Sequence, residues 1–487
     1  MKIAISYPPL ESPKGTPLLG QNRQFQWFNS PTYIYPMVPA YAATLLKAGG
    51  YEVVWDDGIA ENKTYTEWRR DIQRRAPDII AIETKTPVIQ RHWNIIDDLK
   101  SLMPDTKIAL MGDHVTAHPQ ESMENCKTDY ILTGGDYDFL LLSLADHLIG
   151  GKELESGIWY RENDEIKNTG KFALNHDLNM LPFIDRELTN WILYSEKNGN
   201  YKKLPGTYTM VGRDCWWGKC TFCSWTTTYP SFRTRTPEKL LDEIGILIEK
   251  YKVKEIMDDS GSFPAGKWLH KFCTGMIERG YNTKINIHCN MRVNALGQDD
   301  YNLMAKAGFR FILYGVESAN QSTLDRINKG TKVKDIPEAC RMAKNAGLDP
   351  HLTVMLGYPW ETKTDALRTV KLAQEIFKKG WADTLQATIV IPYPGTPLFR
   401  ECKENGWLVT EDWDRYDMRE PVMKCPMTGQ EIKELTQELY KVFLTPGYIL
   451  RRLLSIRNMD DLRFIKRGVK SVTGHLTDFS NKERCDS

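Results

Sequence analysis

Three of the ten cysteines lie close together, and their spacing is the feature of the sequence with the most evident chemistry. They are Cys215, Cys220 and Cys223, spaced C-x4-C-x2-C within GRDCWWGKCTFCSW (212–225). The other seven are scattered, at Cys126, Cys273, Cys289, Cys340, Cys402, Cys425 and Cys485. Ten cysteines in 487 residues are too sparse for a disulfide scaffold. Three thiolates on one tight loop instead indicate a soft metal centre.

A [4Fe–4S] cluster is the centre that a set of three cysteines suits best. Thiolates hold such clusters, and three of them leave one iron open to bind a small molecule. Structural zinc normally has four ligands, commonly supplied as two pairs, and the sequence contains no second CxxC pair. Zinc, or three buried thiols without a metal, are the alternatives.

Strands that alternate with helices place the cysteine loop in a barrel-like region. The strand-like runs of residues 205–400 are 207–213, 255–259, 285–290, 310–317, 351–357 and 384–390. Thr236-Pro237 opens the first helix between them with an N-cap residue and a proline after it. Six βα units predict a partial (βα)6 barrel of the TIM type. Functional groups of such barrels lie where strands end, as the cysteines do.

Residues 1–150 predict a separate α/β domain. Its strand-like runs are 2–7, 51–56, 78–84, 107–112 and 129–134. Their alternation with amphipathic stretches predicts a doubly wound, flavodoxin-like parallel sheet with helices on both faces. Such sheets bind ligands at the carboxyl ends of their strands, which here include 84–86, 112–119 and 133–138.

The other segments are less regular. Residues 151–204 are predicted to be a polar connecting segment with a weak strand pair near 157–166, and residues 401–487 a helical C-terminal region. Residues 451–470 hold seven Lys and Arg against two Asp. This stretch is either the solvated face of a cap helix or a surface for peripheral contact with an anionic membrane or a phosphate-bearing substrate.

Composition and charge exclude several classes of protein. Lys and Arg number 64 against 63 Asp and Glu, so the net charge of +1 argues against a general nucleic-acid-binding protein. The longest uncharged stretch, 24–46, contains three prolines and polar residues, which a membrane-spanning helix does not tolerate. The N-terminus has prolines where a signal peptide needs an apolar core. We therefore expect a cytoplasmic protein without a transmembrane segment.

The cysteine loop and the barrel motifs together resemble the radical S-adenosylmethionine (SAM) superfamily. Phe222 stands before the last cysteine, as the family's aromatic residue does. DDSGSF (258–263) resembles the SAM-amino motif, GVES (315–318) the ribose motif, and GYPWET (357–362) the adenine-side turn. PYPGT (392–396) resembles a segment common in one large branch. The usual spacing is C-x3-C-x2-C, so this loop carries one extra residue.

The resemblance implies which residues hold SAM and the cluster. Cys215, Cys220 and Cys223 are the implied cluster ligands and thus the catalytic residues. The residues implied around SAM are Ser260 and Gly261 at its amino group, Glu317 and Ser318 at the ribose hydroxyls, and Phe222 and Gly357 at adenine. Arg292, a cation at a strand end, is a candidate for the SAM carboxylate, with a structural ion pair as its alternative.

The N-terminal domain resembles the cobalamin-binding domain of the B12-dependent branch. The strings that carry this resemblance are PMVPAYAATLLKAGGYEV (36–53) and MGDHVTAHPQE (111–121). The residues implied for cobalamin are Thr84, Gly112, His114, Thr116, Gly134 and Gly135. No D-x-H-x-x-G string occurs, which implies base-off cobalamin without a histidine ligand to cobalt, so that His114 faces the corrin tail or solvent. Cys126 is the one cysteine before Cys215, which argues against methylthio-transferring relatives.

The resemblance implies a B12-dependent radical SAM enzyme. Its implied activity is methyl transfer from methylcobalamin after reductive cleavage of SAM to a 5′-deoxyadenosyl radical. The methyl acceptor is an unactivated carbon of a metabolite, a lipid or a peptide. A donor such as flavodoxin or ferredoxin supplies electrons. One alternative is a cobalamin-dependent cyclase or another enzyme that forms or rearranges carbon–carbon bonds without net methylation. Another is a non-catalytic iron–sulfur or corrinoid-binding sensor or carrier.

Overall fold

Two open β-sheets, each flanked by helices, form most of the chain. The structure, a computed structural model, describes residues 1–17, 19, 25–29, 33–196, 198 and 200–478, with side chains as far as 469. Each sheet has its own buried hydrophobic core. None of the described helices combines the length and apolarity needed to cross a bilayer.

The first sheet confirms the predicted doubly wound domain. Its five parallel strands have the order β4-β1-β5-β6-β7, and each lies between helices. The strands of this part are β1 (Lys2–Tyr7), β2 (Thr16–Pro17), β3 (Trp27–Phe28), β4 (Glu52–Asp57), β5 (Ile79–Thr84), β6 (Lys107–Gly112) and β7 (Tyr130–Leu132). The helices are α1 (Met37–Ala48), α2 (Tyr65–Arg75), α3 (Ile89–Leu102), α4 (Asp113–Ala117), α5 (Pro119–Asn125) and α6 (Tyr137–Gly150). β5 is buried along its whole length, as expected for a sheet covered on both faces.

The segment after this domain adds two antiparallel strands to the same sheet. The hairpin of β8 (Ile158–Glu162) and β9 (Glu165–Asn168) pairs with β7 and brings the sheet to seven strands. This hairpin is the weak strand pair expected near 157–166. A short helix, α7 (Ile192–Glu196), follows it before the second sheet.

The second sheet confirms the partial (βα)6 barrel. Six parallel strands lie in the order β10-β13-β14-β15-β16-β17, and the first and last do not pair with each other. The strands of this part of the chain are β10 (Gly206–Thr209), β11 (Gly212–Arg213), β12 (Arg233–Thr234), β13 (Glu255–Asp258), β14 (Asn286–Met291), β15 (Phe309–Glu317), β16 (Asp349–Leu356) and β17 (Thr384–Ile389), of which β11 and β12 pair only with each other. The helices are α8 (Trp225–Thr228), α9 (Pro237–Glu249), α10 (Lys267–Glu278), α11 (Gln298–Lys306), α12 (Gln321–Arg326), α13 (Asp335–Asn345), α14 (Lys363–Lys378) and α15 (Pro397–Glu404).

The N-terminus of α9 has the predicted capping residues, whereas the predicted first strand of the barrel is divided into two. The Thr236 hydroxyl accepts a hydrogen bond from the Lys239 amide, with Pro237 at the first helical position, as predicted. The run 207–213, expected to form one strand, divides into β10 and β11 because β11 leaves the sheet to pair with β12.

As far as the structure describes it, the C-terminal region is mainly helical, as expected, apart from residues 405–428. Its helices are α16 (Gly429–Tyr440), α17 (Pro446–Leu454) and α18 (Met459–Asp478). Residues 405–428 instead form an irregular strap with one turn of 3-10 helix at Trp413–Arg415. Side chains of the strap complete the core of the first domain, which favours this packing over a helix; they are Trp413, Tyr416, Met418 and Val422.

A buried cluster of charges joins the β11–β12 pair to helix α6 of the first domain. Arg213 of β11 donates two hydrogen bonds to Asp138 at 2.5 and 2.9 Å, and a third to Asp136 at 3.0 Å. Arg233 of β12 donates twice to Asp136, at 2.7 and 2.8 Å. Both aspartates belong to the start of α6, so these bonds fix the barrel against the first domain.

His176 extends the same cluster toward the surface. Its Nδ1 lies 3.2 Å from Asp136 Oδ2 and its Nε2 lies 3.0 Å from Glu155 Oε2. The ring stacks on Phe139 with 4.0 Å between centroids. Burial lowers the pKa of His176, but bonds to Asp136 and Glu155 outweigh it and raise this pKa to about 9. Burial likewise opposes ionisation of Asp136, yet His176, Arg213 and Arg233 hold its pKa below the ordinary value.

Replacing Asp138 by asparagine tests the charge cluster. Asp138→Asn leaves Arg213 buried with part of its charge uncompensated, which costs about 3–5 kcal/mol of unfolding free energy. The midpoint of urea unfolding should fall accordingly. Glu338→Gln, which removes a surface ion pair with Arg341, is the control and should leave the midpoint unchanged. Equal midpoints for the two variants would show that the cluster does not stabilise the domain contact.

His176 should make the stability depend on pH. Because folding raises its pKa from the ordinary value of about 6.5, its contribution is complete below that pH and is lost as the pH rises through about 9. The urea midpoint of the wild type should therefore decline over this interval. His176→Gln should show a lower midpoint below about pH 6.5 and a smaller decline above it. Parallel pH profiles for wild type and variant would contradict the assignment.

Candidate functional site

The three clustered cysteines lie on the loop between β11 and α8, at the carboxyl end of the barrel sheet. All three are partly exposed. Five of the scattered cysteines are buried: Cys126, Cys273, Cys289, Cys340 and Cys402. Among the residues that the structure describes, no three cysteine, histidine or carboxylate side chains converge as a metal-ligand group. The loop does hold three accessible thiols within nine residues, on the face where the sequence predicts the site.

Two buried cations face the middle cysteine of the loop. Burial raises the pKa of Cys220, and the positive charges of Lys329 and Arg292 oppose that rise. Arg292 interacts with the thiols of both Cys220 and Cys215. Positive charge at this position favours thiolates and other anionic groups over neutral ones.

Arg292 is held in place at the end of β14 by aromatic rings and a backbone oxygen. Its guanidinium lies 4.3 Å from the ring centroid of Trp217 and 5.5 Å from that of Trp216. It donates a hydrogen bond to the carbonyl oxygen of Lys329. Burial lowers the pKa of Arg292. Its Nε has no hydrogen-bond partner within the described residues, so the side chain keeps a donor for a ligand.

The extra residue of the cysteine loop falls in the stretch 216–219, which contacts a neighbouring loop. Trp217 Nε1 donates to the Asn328 carbonyl oxygen at 2.8 Å. Gly330 is required beneath the indole, because a Cβ there would collide with the ring of Trp217. The insertion therefore adds a contact that anchors the loop.

Glu317, at the end of β15, forms an ion pair with Lys329. Burial lowers the pKa of Lys329, but the Glu317 carboxylate outweighs it and holds this pKa above the ordinary value. Gly315 leaves room for the pair, since a Cβ there would collide with both charged groups. Sequence reasoning missed Lys329, which stands in a loop with Lys332 and Lys334 and has no motif of its own.

Ser260 and Gly261 bind the cysteine loop to β13. Ser260 Oγ donates to Asp258 Oδ1 at 2.6 Å and accepts from the Gly212 amide at 2.8 Å. The Gly261 amide donates to the carboxylate and the carbonyl oxygen of Asp214. A Cβ on Gly261 would collide with that carboxylate. The Ser260 hydroxyl is thus occupied, and Asp214 is a second residue that sequence reasoning missed.

Ser318 belongs to a buried hydrogen-bond network rather than to an open surface. Its hydroxyl donates to Glu361 Oε1 at 2.6 Å. Asn320 Nδ2 donates to the Ser318 hydroxyl at 3.2 Å and to Glu361 Oε1 at 3.0 Å. The network ties the end of β15 to the turn after β16, so Ser318 sets the position of its neighbour Glu317.

Gly357 and Tyr358 begin the turn after β16. Gly357 has a φ of +97°, the left-handed region that favours glycine. The Tyr358 side chain is buried, and its hydroxyl has no hydrogen-bond partner within the described residues. Burial, followed by the charges of Glu317, Glu361 and Cys220, holds the pKa of Tyr358 well above its ordinary value. Phe222 lies near Lys329, with 5.9 Å between its ring centroid and Lys329 Nζ.

The residues predicted in the first domain form the carboxyl edge of its sheet. Thr84 Oγ1 lies 2.7 Å from His92 Nδ1. Thr116 Oγ1 donates to the Gly112 carbonyl oxygen at 2.6 Å and accepts from the Gly134 amide at 3.0 Å. Gly112 has a φ of +127°, and a Cβ there would collide with the Thr84 carbonyl oxygen. Bonds among these residues shape the edge and occupy the two threonine hydroxyls.

Gly135 brings this edge against the cysteine loop. Its amide donates to the Thr228 carbonyl oxygen at 2.9 Å, and its carbonyl oxygen accepts from the Tyr229 hydroxyl at 2.8 Å. A Cβ on Gly135 would overlap the Tyr229 ring. Thr228 and Tyr229 follow Cys223 closely, so the two predicted sites, far apart in sequence, are neighbours in the fold.

His114 is fully buried behind the edge. Its Nδ1 lies 3.2 Å from Thr86 Oγ1, and its Nε2 lies 3.2 Å from Glu121 Oε2. Trp413 of the strap covers the ring with 5.3 Å between centroids and donates to Glu121. Nδ1 thus faces a protein hydroxyl, whereas Nε2 lies near a carboxylate and has no hydrogen-bond partner within the described residues.

The mouth of the barrel thus combines groups suited to an anionic redox centre and a small polar ligand beside it. Three accessible thiols lie next to two cations, a carboxylate and a buried phenol. The carboxyl edge of a second sheet borders the same region. An arrangement of this kind can hold two ligands close enough to react with each other.

Comparison with known families identifies the barrel. Residues 209–373 match the model of the radical SAM superfamily. The chain is 26% identical over 442 residues to an uncharacterized methyltransferase of Pyrococcus horikoshii, covering 90% of this chain and 93% of that protein. It is 31% identical to bacteriochlorophyllide d C-8(2)-methyltransferase of Chlorobaculum tepidum, with coverage of 79% and 82%.

Two further comparisons cover most of the chain, including the first domain as well as the barrel. The anaerobic magnesium-protoporphyrin IX monomethyl ester cyclase of Cereibacter sphaeroides is 26% identical and covers 84% of this chain, which spans 66% of that protein. The solved structure of the radical S-adenosylmethionine methyltransferase TsrM from Kitasatospora setae, with cobalamin and a [4Fe-4S] cluster bound, superposes with a TM-score of 0.69. That match covers 98% of this chain and all of TsrM at 12% identity, so it shows a shared fold from end to end.

The accessibility of the loop cysteines can be checked directly. In the metal-free protein under native conditions, iodoacetamide should modify Cys215, Cys220 and Cys223 before the five buried cysteines, because burial denies the reagent access. Peptide mass mapping over time measures each rate. Cys425, also partly exposed, is the internal control outside the loop. Equal rates for the loop and the buried cysteines would contradict the described geometry.

Proposed function

The chain belongs to the cobalamin-dependent radical SAM superfamily, and from that membership we propose that it is a C-methyltransferase acting on an unactivated carbon. The observation that carries this proposal is the contact between the carboxyl edge of the first domain and the segment that follows the cysteine loop, made by Gly135 and Tyr229. A reaction that needs two cofactors requires their binding surfaces to share one space, and this contact supplies that arrangement.

The three cysteines would hold a [4Fe–4S] cluster. The donor set fits, because thiolates are the ligands of such clusters and these thiols are accessible. Arg292 and Lys329 supply positive charge beside Cys220, which offsets the negative charge of a thiolate-bound centre.

SAM would occupy the mouth beside the cluster loop. The free donor on Arg292 suits a carboxylate, and Glu317 is placed to accept hydrogen bonds from ribose hydroxyls. Gly261 and Phe222 are proposed at the amino and adenine sides, with Gly357. Because the hydroxyls of Ser260 and Ser318 are bonded within the protein, we propose that these serines position the site and do not touch SAM through their side chains.

Cobalamin would lie along the edge formed by Thr84, Gly112, Thr116, Gly134 and Gly135. We propose that it binds base-off and without a histidine ligand. Two features support this: the D-x-H-x-x-G string is absent, and His114 has both ring nitrogens directed at Thr86 and Glu121.

When bound, these groups supply an electron for cleavage of SAM to a 5′-deoxyadenosyl radical, and a methyl group for transfer. The chain itself must hold the substrate between the two surfaces and exclude water from the radical. Tyr229 and Tyr358, which are both buried, contribute to the walls that exclude it.

The second candidate function is cyclisation or another carbon–carbon bond formation without net methylation. The cyclase relative supports it, since its sequence is similar over most of this chain. A non-catalytic sensor or carrier has less support, because the family match includes the motif positions of the barrel.

The proposal also includes partners and location. A small electron-transfer protein such as flavodoxin or ferredoxin would reduce the cluster, and the substrate would be a metabolite, a lipid or a peptide. We place the enzyme in the cytoplasm, with peripheral membrane contact through its C-terminal helices.

The Cys220→Ala variant tests the enzymatic assignment. Losing one of three ligands should remove iron binding and abolish reductive cleavage of SAM, while circular dichroism stays unchanged because Cys220 is only partly buried. Iron analysis and 5′-deoxyadenosine production under anaerobic conditions measure both effects. Cys425→Ala, a partly exposed cysteine outside the loop, should keep wild-type iron and cleavage. Undiminished cleavage in Cys220→Ala would disprove the ligand assignment.

Metal content and labelling then separate the candidate reactions. The wild type purified with hydroxocobalamin should contain about four irons and one cobalt per chain. With SAM that carries a deuterated methyl group, a C-methyltransferase incorporates the label into its product, whereas a cyclase does not. Zinc in place of iron and cobalt would rule out both.

A further inference from the structure

Helix α17 presents its apolar side to solvent and its polar side to the protein. No residue of α17 is buried. Ile449, Leu450, Leu453 and Leu454 lie on one face and have exposed fractions of 45%, 57%, 57% and 74%. A surface helix of a globular protein normally has the opposite orientation, with its apolar stripe against the core.

Polar contacts hold α17 in this orientation. Tyr448 and Arg452 both donate to the Asp383 carbonyl oxygen at 2.9 Å. Arg451 donates to the Phe377 carbonyl oxygen at 2.5 Å. Because these bonds direct the arginines inward, the leucines point outward.

The exposed apolar surface continues on both sides of α17. Leu444 precedes it, and Met459 and Leu462 follow it at the start of α18, with exposed fractions of 58%, 61% and 47%. Large apolar side chains that are contiguous and exposed mark an interaction surface rather than ordinary surface composition.

A basic cavity lies next to the start of α18. It has a volume of about 540 Å³, and Lys203, Lys254 and Lys284 line it together with Asp460. Within the described residues none of these lysines forms an ion pair with a carboxylate. Arg457 and Lys466 of the adjoining segment are exposed as well. Three of the seven residues that line the cavity are basic and one is acidic, so the lining carries a net positive charge.

The apolar helix and the basic cavity lie at the same end of the barrel. The three lysines precede β10, β13 and β14, and Asp383, which holds α17, precedes β17. The start of α18 lies at this end, with Lys202 in an ion pair to Asp461 and Arg467 donating to the Tyr201 carbonyl oxygen at 2.7 Å. The amino ends of all these strands face away from the cysteine loop, which lies at the carboxyl ends.

We infer that this end of the barrel, formed by α17, the start of α18 and the three-lysine cavity, docks onto a bilayer that contains anionic lipids. Exposed leucines next to lysines and arginines are the pattern of an interfacial amphipathic helix. The lysine cavity would take lipid phosphate groups, and the leucines would enter the headgroup boundary. A nucleic acid would bind the basic residues but would leave the exposed leucines in contact with water.

The inference rests on the proposed membrane contact but not on either cofactor. It places the barrel mouth on the side away from the bilayer. Docking would then retain the enzyme at a membrane while the barrel mouth, next to the first domain, stays accessible to the substrate and the electron donor.

Vesicle binding by the full-length protein tests the surface. Wild type should sediment with vesicles of phosphatidylglycerol and phosphatidylcholine, and far less with phosphatidylcholine alone. The double variant Leu453→Ser/Leu454→Ser should partition at least about tenfold more weakly because two leucine side chains no longer enter the lipid. Lys203→Gln, Lys254→Gln and Lys284→Gln should each weaken binding to anionic vesicles by about fivefold.

A variant of the other domain is the matched control for this test. Ile149→Ser removes an exposed apolar side chain of α6, on the other domain, and should bind as wild type does. Failure of the wild type to sediment, or binding that the leucine variant does not reduce, would overturn the inference. A dimer in light scattering that the leucine variant dissociates, without vesicle binding, would assign the surface to a second copy instead. Cys220→Ala should bind vesicles normally, which separates this test from that of the proposed enzymatic function.

Discussion

The arrangement of the two domains depends on one buried guanidinium. Arg213 stands two residues before Cys215 in the sequence, and its partners Asp136 and Asp138 directly follow Gly134 and Gly135. A buried charge is tolerated only when opposite charges lie within ion-pair distance, because leaving it unpaired costs several kcal/mol. One ion cluster therefore fixes how far the cysteine loop lies from the edge of the first sheet. The space between two cofactors is set by these bonds and by the close packing of Tyr229 on Gly135.

Many residues of the candidate site form hydrogen bonds that fix the positions of neighbouring loops and strand ends. Ser260 and Gly261 attach the cysteine loop to β13, Ser318 and Glu361 fix the end of β15, and Trp217 anchors the insertion in the loop. The remaining groups of the site are the three partly exposed cysteines, the Arg292 Nε and the Tyr358 hydroxyl, and the last two have no hydrogen-bond partner within the described residues. A rigid supporting layer of this kind is what chemistry with a reactive radical needs, because small displacements of the reactants cost large factors in rate.

The sequence was sufficient to predict both sheets because buried parallel strands are continuous apolar runs and their helices are amphipathic. It also located the cysteine loop and the strand ends that surround it. It did not predict the strap at 405–428, whose aromatic side chains are buried by the first domain and follow no local period. Nor did it reveal Lys329 or the pairing of Arg213 with Asp138, since ion pairs between distant residues leave no pattern in the chain. The resemblance implied that Ser260 and Ser318 touch SAM, and only the structure shows that their hydroxyls are already bonded within the protein.

The strap has a consequence for how the protein is made. Trp413, Tyr416, Met418 and Val422 complete the core of a domain whose strands begin at residue 2. During synthesis the first domain leaves the ribosome early, yet its core stays open until more than 400 further residues have been translated. The barrel must therefore fold while its N-terminal neighbour is still incomplete. A nascent chain of this protein should rely on chaperones that cover the unfinished core until the strap arrives.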